Sequence, residues 1–218
     1  MARVGLLGGS FNPAHRGHRR ISLEAIRALA LDQVWWLVSP GNPLKDGASD
    51  MAPFEARFHS ATEAAKHAPI RVSDFEAREN TRYTVDTIGR LKARYPADDF
   101  IWLIGSDTLR DFHKWRDWRG LAREVPIAVI RRPGYDRQAH AARAMGWLKR
   151  FVHPSSQARE WTQWSAPAII FLRLPPDRTS ATAIRAQDPS WHRRTSSAPR
   201  RRSAMALSAR RPLDRRSS

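Results

Sequence analysis

Gly8-Gly9-Ser10-Phe11-Asn12-Pro13-Ala14-His15-Arg16-Gly17-His18 decides how the chain is read. The run before it, Val4-Gly5-Leu6-Leu7, is short and apolar and is bounded by glycine, the pattern of a buried strand. Gly8 and Gly9 let the backbone turn tightly and approach a ligand closely. Pro13 stiffens the loop, and a helix is expected to begin near Gly17 or His18. The start of a helix presents unpaired N–H groups and the positive end of its dipole, a ready site for phosphate. His15 and His18 bracket that start. One histidine there would be an ordinary surface or core residue; two in a strand-to-helix turn flanked by glycine point to an anion. The loop is neither G-x-G-x-x-G nor a Walker A loop, which would end in Gly-Lys-Ser/Thr. An H-x-x-H pair could hold a metal, but no further His or carboxylate lies nearby to complete a ligand set. No protein metal site is expected.

Outward from this loop, strand-like and helix-like patterns alternate. Residues 4–7, 34–38, 100–104, 127–130 and 168–172 read as buried strands. Residues 19–31, 53–66, 84–94 and 137–149 carry helical spacing or composition, and 152–167, with Trp161 and Trp164, reads as irregular. The alternation predicts an α/β fold, a Rossmann-like, doubly wound, mostly parallel sheet with helices on both faces. Ligands of such sheets bind beyond the carboxyl ends of the strands, which places the glycine loop where a site belongs.

The 218 residues allow one domain with a small appendage, and 41% hydrophobic residues allow a sizeable core. With no cysteine, disulfide frameworks and thiolate metal or redox sites are excluded. No apolar run approaches the roughly 20 residues that cross a bilayer, and the N-terminus reads as a strand rather than a signal peptide. A cytoplasmic setting is expected. The net charge of +17 invites a nucleic-acid reading. Its distribution argues otherwise, because residues 189–218 carry nine Arg against one Asp, a net of +8. The expected division is therefore a domain over 1–188 and an Arg/Ser-rich, disordered tail over 189–218. The remaining excess suits an enzyme for polyanionic nucleotides.

The glycine loop resembles the G-x-F-x-P-x-H-x-G-H signature of the nucleotidyltransferase superfamily with a HIGH-type motif. That superfamily's second signature, I-S-x-T-x-x-R, is similar to Thr179-Ser180-Ala181-Thr182-Ala183-Ile184-Arg185, with Thr179 in place of the Ile. Three inner segments look like those of bacterial nicotinate-mononucleotide adenylyltransferases. They are Thr81-Arg82-Tyr83-Thr84-Val85-Asp86-Thr87; Ile104-Gly105-Ser106-Asp107-Thr108-Leu109 followed by Trp115; and Ile130-Arg131-Arg132-Pro133-Gly134. The resemblance covers roughly residues 3 to 188.

It implies transfer of AMP from ATP to nicotinate mononucleotide, with nicotinate adenine dinucleotide and pyrophosphate as products, in NAD biosynthesis. Mg²⁺ is expected to ride on the ATP. His15, His18 and Arg185 are the implied catalytic residues. Gly8, Gly9, Ser10, Phe11, Gly105, Asp107, Ser180 and Thr182 join them in holding ATP. Lys45, Tyr83, Thr84, Trp115 and Arg132 are expected at the mononucleotide. Trp115 offers a ring face, Asp107 an acceptor for ribose hydroxyls, and the start of the helix at Tyr83–Thr84 N–H groups for the ring carboxylate. Asp177 or Thr179 is expected to cap the helix that carries Ser180 and Thr182 in its first turn. Asn12 stands where many relatives have Asp, and Leu44, before Lys45, where His is common. Rival readings are a phosphopantetheine adenylyltransferase or cytidylyltransferase of the same fold and, from another class, a basic nucleic-acid-binding protein.

Overall fold

The computed structural model describes residues 1–41, 51–131, 139–173 and 179–195. Seven strands form one sheet: β1 Arg3–Gly9, β2 Gln33–Val38, β3 Ile70–Ser73, β4 Asp99–Gly105, β5 Ile127–Ile130, β6 Val152–His153 and β7 Ile169–Leu172. Their order is β3-β2-β1-β4-β5-β7-β6, and every pairing is parallel. The helices are α1 Arg16–Leu29, α2 Phe54–Ala65, α3 Phe75–Arg78, α4 Thr84–Arg94, α5 Ser106–Asp111, α6 Trp118–Glu124, α7 Met145–Leu148, α8 Ala181–Gln187 and α9 Trp191–Thr195.

Strict alternation along the strands feeds two cores. Val4, Leu6, Trp35, Leu37, Trp102 and Ile104 point to one face, where they meet Ile88 and Leu91 of α4, Leu109 of α5, Leu121 of α6 and Leu148 of α7. Leu7, Val34, Trp36, Val38, Ile101 and Leu103 point to the other, against Ala25 and Leu29 of α1 and Ala61 and Ala65 of α2. Both faces are covered, so the strands are apolar throughout rather than half polar. Strand order reverses between β1 and β4, which opens a crevice beyond their carboxyl ends. The loop after Gly9 and the turn after Gly105 both open into it.

The five expected strands and the helix 84–94 are present, and the α/β, Rossmann-like, doubly wound sheet is as expected. Elsewhere the chain departs from expectation. β3 was missed because only Val72 of its residues is buried, and β6 because a two-residue strand has no period. The stretch 152–167 is not irregular: after β6, residues Ser155–Gln163 form a 3₁₀ helix. Its Trp161 is 1% exposed and donates Nε1–H to the Leu29 oxygen over 2.9 Å. The helix expected over 137–149 is, within the described residues, broken; it resumes as α7 and ends in a 3₁₀ turn at Lys149–Phe151. α1 starts at Arg16 and stops at Leu29, where Ala30 turns left-handed with φ 50°. Trp191, beyond the expected boundary at 188, is buried against Ala52 and Ala56 of the domain.

Candidate active site

The turn after β1 is made by Phe11 rather than by a glycine. Phe11 has φ 47°, a left-handed conformation that a bulky residue seldom adopts. Its ring compensates by burial: it is 2% exposed, stacks on Trp36 at 5.0 Å between centroids and meets His18 at 4.9 Å. Gly8 is small for a different reason from the one expected. A Cβ there would come within 2.7 Å of the Trp102 indole, so the space over Gly8 holds a core ring.

Arg57 clasps the loop from beneath. It is 1% exposed and spends its donors on main-chain oxygens: Nε on Ala52 at 2.9 Å, Nη1 on Ser10 and Ser39 at 2.7 Å each, and Nη2 on Pro40 at 3.2 Å. The loops after β1 and β2 are thereby fixed to the start of α2. Burial lowers the guanidinium pKa from its ordinary value, while its carbonyl partners satisfy its hydrogens.

His15 and His18 cap α1 reciprocally. His15 Nδ1 accepts from Gly17 N–H at 3.1 Å, and His18 Nδ1 accepts from His15 N–H at 3.2 Å. This is the capping-box arrangement with imidazoles in place of hydroxyl and carboxylate. With each Nδ1 an acceptor, the proton of each neutral ring sits on Nε2, so both rings offer an N–H donor. The ring centroids lie 3.9 Å apart.

The two signature segments meet. Arg16 Nε donates to Thr179 Oγ1 at 2.7 Å, and Arg185 Nη1 donates to the Asn12 oxygen at 2.6 Å. A Cβ on Gly17 would sit 2.9 Å from the His15 ring and 3.4 Å from the Thr179 oxygen, so the approach needs glycine. Ser180 itself is the cap of α8, its Oγ accepting from Ala183 N–H at 3.1 Å. That corrects the expectation of Asp177 or Thr179 in that role: Thr179 Oγ1 serves Arg16, and Asp177 lies outside the described residues. Thr182 and Arg185 follow in α8, Thr182 exposed and Arg185 half-buried. Asn12, only 4% exposed, also accepts from Ala52 N–H at Oδ1 over 3.2 Å.

The other expected residues that the structure describes stand at the ends of β4 and α5 and at the start of α4. Gly105 ends β4 and Asp107 stands in the first turn of α5. Tyr83 precedes α4 with no side-chain cap, and Thr84 is its first residue; the first N–H groups of a helix have no intrahelical acceptor. Trp115 is half-buried, edge-on to Trp102 at 6.4 Å and 5.4 Å from Phe112. Its neighbour Arg116 lies over the Tyr83 ring at 4.6 Å, which ties the turn after α5 to the start of α4. Lys45 and Arg132 lie outside the described residues. Among the described residues, no group of three or more His, Asp or Glu gathers about one point. No helix there is long and apolar enough to cross a membrane.

Arg57 and Glu76 were not singled out from the sequence. A signal existed for Arg57, since helical spacing sets it on the stripe of Phe54, Ala61 and Ala65. None existed for Glu76, a carboxylate in the four-residue helix α3 whose surroundings are entirely tertiary.

Fold and site together define a nucleotidyltransferase: the family model described as cytidylyltransferase-like matches residues 6–187. Within that class the chain belongs to the nicotinate-nucleotide adenylyltransferase family. It is 58% identical over 189 residues to a probable nicotinate-nucleotide adenylyltransferase of Erythrobacter litoralis, covering 87% of this chain and 86% of that protein. It is 44% identical over 182 residues to one of Ruegeria, covering 84% and 95%. The fold is also that of the Plasmodium falciparum nicotinic acid mononucleotide adenylyltransferase complexed with NaAD, at TM-score 0.62 and 16% identity, over 85% of this chain and 83% of that one.

Proposed function

We propose that the protein transfers AMP from ATP to nicotinate mononucleotide, releasing pyrophosphate and forming nicotinate adenine dinucleotide in NAD biosynthesis. The observation that carries this reading is the meeting of residues 12–18 with 179–185 at the switch point of the sheet. The mononucleotide's 5′-phosphate attacks the α-phosphorus of ATP, and the bond to the bridging oxygen of pyrophosphate breaks. No covalent enzyme intermediate is needed, so catalysis consists of positioning and stabilisation of developing charge.

The Nε2–H donors of His15 and His18 and the N–H groups at the start of α1 serve the triphosphate, with His18 at the charge that develops on the bridging oxygen. Ser180, Thr182 and Arg185 hold the β- and γ-phosphates. The Ser180 hydroxyl accepts from Ala183 and still has a hydrogen to donate. Asp107 takes a ribose hydroxyl, Trp115 the pyridine ring, and the start of α4 at Tyr83–Thr84 the ring carboxylate. Lys45 and Arg132 belong to the same proposal as phosphate and mononucleotide contacts. Mg²⁺ arrives bound to the ATP phosphates, as part of the substrate. A cytoplasmic setting, where ATP is held, completes the reading.

Pyrophosphate release from MgATP tests it. Release that depends on nicotinate mononucleotide supports the assignment; release that depends instead on phosphopantetheine, or none with any mononucleotide, refutes it.

A further inference from the structure

Arg57 is a buried cation to which the phosphoryl chemistry described above gives no part. Its partners are the main-chain oxygens of Ser10, Ser39, Pro40 and Ala52 and the face of the Phe54 ring at 5.5 Å. Among the described residues no carboxylate pairs with it, so the negative ends of four carbonyl dipoles stand in for a counter-ion. Burying a charge is costly, and an apolar side chain serves a core as well or better. What the guanidinium adds is direction: its planar fork of five N–H groups reaches oxygens on three separate segments at once.

The clasp extends beyond its own bonds. Ala52, whose oxygen accepts from Arg57 Nε, donates its N–H to Asn12 Oδ1 at 3.2 Å, and the Asn12 main-chain oxygen accepts from Arg185 Nη1. Only Ala52 and Asn12 separate the two arginines along this chain of hydrogen bonds. Trp191, which follows α8, is buried against Ala52 and Ala56 and covers the same link. Between the held oxygen of Ser10 and the held Asn12 lies Phe11 at φ 47°. A bulky residue stays left-handed only where its surroundings over-determine it, and here both of its neighbours are gripped.

We propose that Arg57 is a positioning residue for adenylyl transfer: through Ala52 and Asn12 it sets where Arg185 stands, and through Ser10 it sets the path of the loop that leads to His15 and His18. It is 1% exposed and acts through these partners rather than on a substrate. This rests on the reading that Arg185 and the two histidines serve the triphosphate.

The experiment compares kcat/KM for ATP and the melting temperature of the full chain in five variants. These are Arg57→Lys, Arg185→Lys, the double variant of the two, Asn12→Ala and Asn12→Asp. Arg57→Lys keeps the charge and loses the fork, and is expected to lower kcat/KM by about 10–10²-fold well below its melting temperature, the effect of a misplacement of about 1 Å. In the Arg185→Lys background the same substitution is expected to cost less than about threefold, because the group it positions is already altered. Asn12→Ala cuts the chain one link nearer Arg185 and is expected to reproduce the loss, which keeps the test decisive should Arg57→Lys not fold. Asn12→Asp keeps an oxygen for the Ala52 N–H and is expected to stay within about threefold of wild type, as one hydrogen bond retained implies. A purely structural role would lower the melting temperature and leave the losses independent. Wild-type kinetics in a folded Arg57→Lys or in Asn12→Ala, or losses that simply multiply in the double variant, overturn the proposal while the assigned reaction stands. A wild-type chain that turns over no mononucleotide overturns the reaction and the inference together.

Discussion

Arg185 donates from Nη1 to the main-chain oxygen of Asn12 over 2.6 Å, although 173 residues separate them. The same junction is closed a second time by Arg16 on Thr179. Each arginine comes from one signature segment and its acceptor from the other. The geometry of this junction is therefore a property of the contact between residues 12–16 and 179–185, not of either segment alone.

Arg185→Lys keeps the charge and loses the planar fork. Hydrogen bonds to charged groups contribute about 1.5–3 kcal/mol, and loss of a stabilising donor at a reacting phosphate costs about 10²–10³-fold in rate. The variant is expected to fold with a Tm near wild type and to lose about 10²-fold in kcat/KM for ATP. Steady-state kinetics at saturating mononucleotide check this. Wild-type kinetics would remove Arg185 from the phosphate site.

His18 caps α1 through Nδ1, and in the proposed reaction it has a second, separable task of donating through Nε2–H. Asn can place an oxygen near Nδ1 and nothing at Nε2. His18→Asn is therefore expected to restore the Tm lost in His18→Ala while kcat stays about 10²–10³-fold low in both. Recovery of the rate along with the Tm would reduce His18 to a capping residue.

A site built to receive a ring carboxylate leaves its N–H donors unmatched when the amide binds. Discrimination of several kcal/mol is then ordinary, so at pH 6 nicotinate mononucleotide is expected to exceed the amide in kcat/KM by at least about 10²-fold. Trp115→Ala is expected to raise KM for both pyridine substrates and leave KM for ATP unchanged. Equal use of acid and amide at that pH contradicts the assigned role of the Tyr83–Thr84 turn.

Glu76 leaves a mark on stability, because its partial burial disfavours the carboxylate. Its carboxyl stands at about 7 in the fold against an ordinary 4.5. Between those values the folded protein keeps a proton that the unfolded chain has released, so stability falls as pH rises through that window. At 1.36 kcal/mol per unit the loss is about 3 kcal/mol once pH passes the upper value. Glu76→Gln is thus expected to melt several degrees above wild type at pH 8 and level with it at pH 4. Thermal melts at the two pH values decide, and parallel melting curves contradict the raised acid.

The Arg/Ser-rich segment after Thr195 shows no apolar periodicity, whereas Trp191 is 7% exposed. Ending the chain at Thr195 is expected to leave adenylyl transfer unchanged and to abolish any salt-sensitive nucleic-acid binding. Ending it at Asp188 is expected to lower Tm by several degrees, since loss of a buried Trp costs about 3–5 kcal/mol. Lost activity in the chain that ends at Thr195 would place residues after Thr195 in the working domain.

The sheet was legible because its central strands are buried on both faces and leave short apolar runs such as residues 100–104 and 127–130. The edge strands β3 and β6 were not, since an edge of two or four residues needs neither alternation nor a long apolar run. The phosphate loop was legible in composition but not in mechanism. Glycine predicts a turn, yet Phe11 makes it, because the burial of its ring against Trp36 outweighs the local cost of a positive φ. Ser180 was read as a first-turn residue and is the cap itself, a shift of one position that periodicity cannot resolve. Arg57 and Glu76 stayed hidden for a common reason. The surroundings of a charged residue are decided by the fold, for Arg57 by the ends of β1 and β2 and for Glu76 by the segment 81–87.

The contact between Asn12 and Arg185 also has a temporal side. Synthesis runs from the first residue to the last, so the glycine loop and both histidines leave the ribosome long before residues 179–185 exist. β7, which lies between β5 and β6 in the sheet, is likewise made almost last. A growing chain therefore carries one side of this junction and no partner for it, and an interrupted chain stays without one. A chain that stops short of Arg185 cannot close the junction with Asn12, so the two segments are joined only once translation has passed that residue.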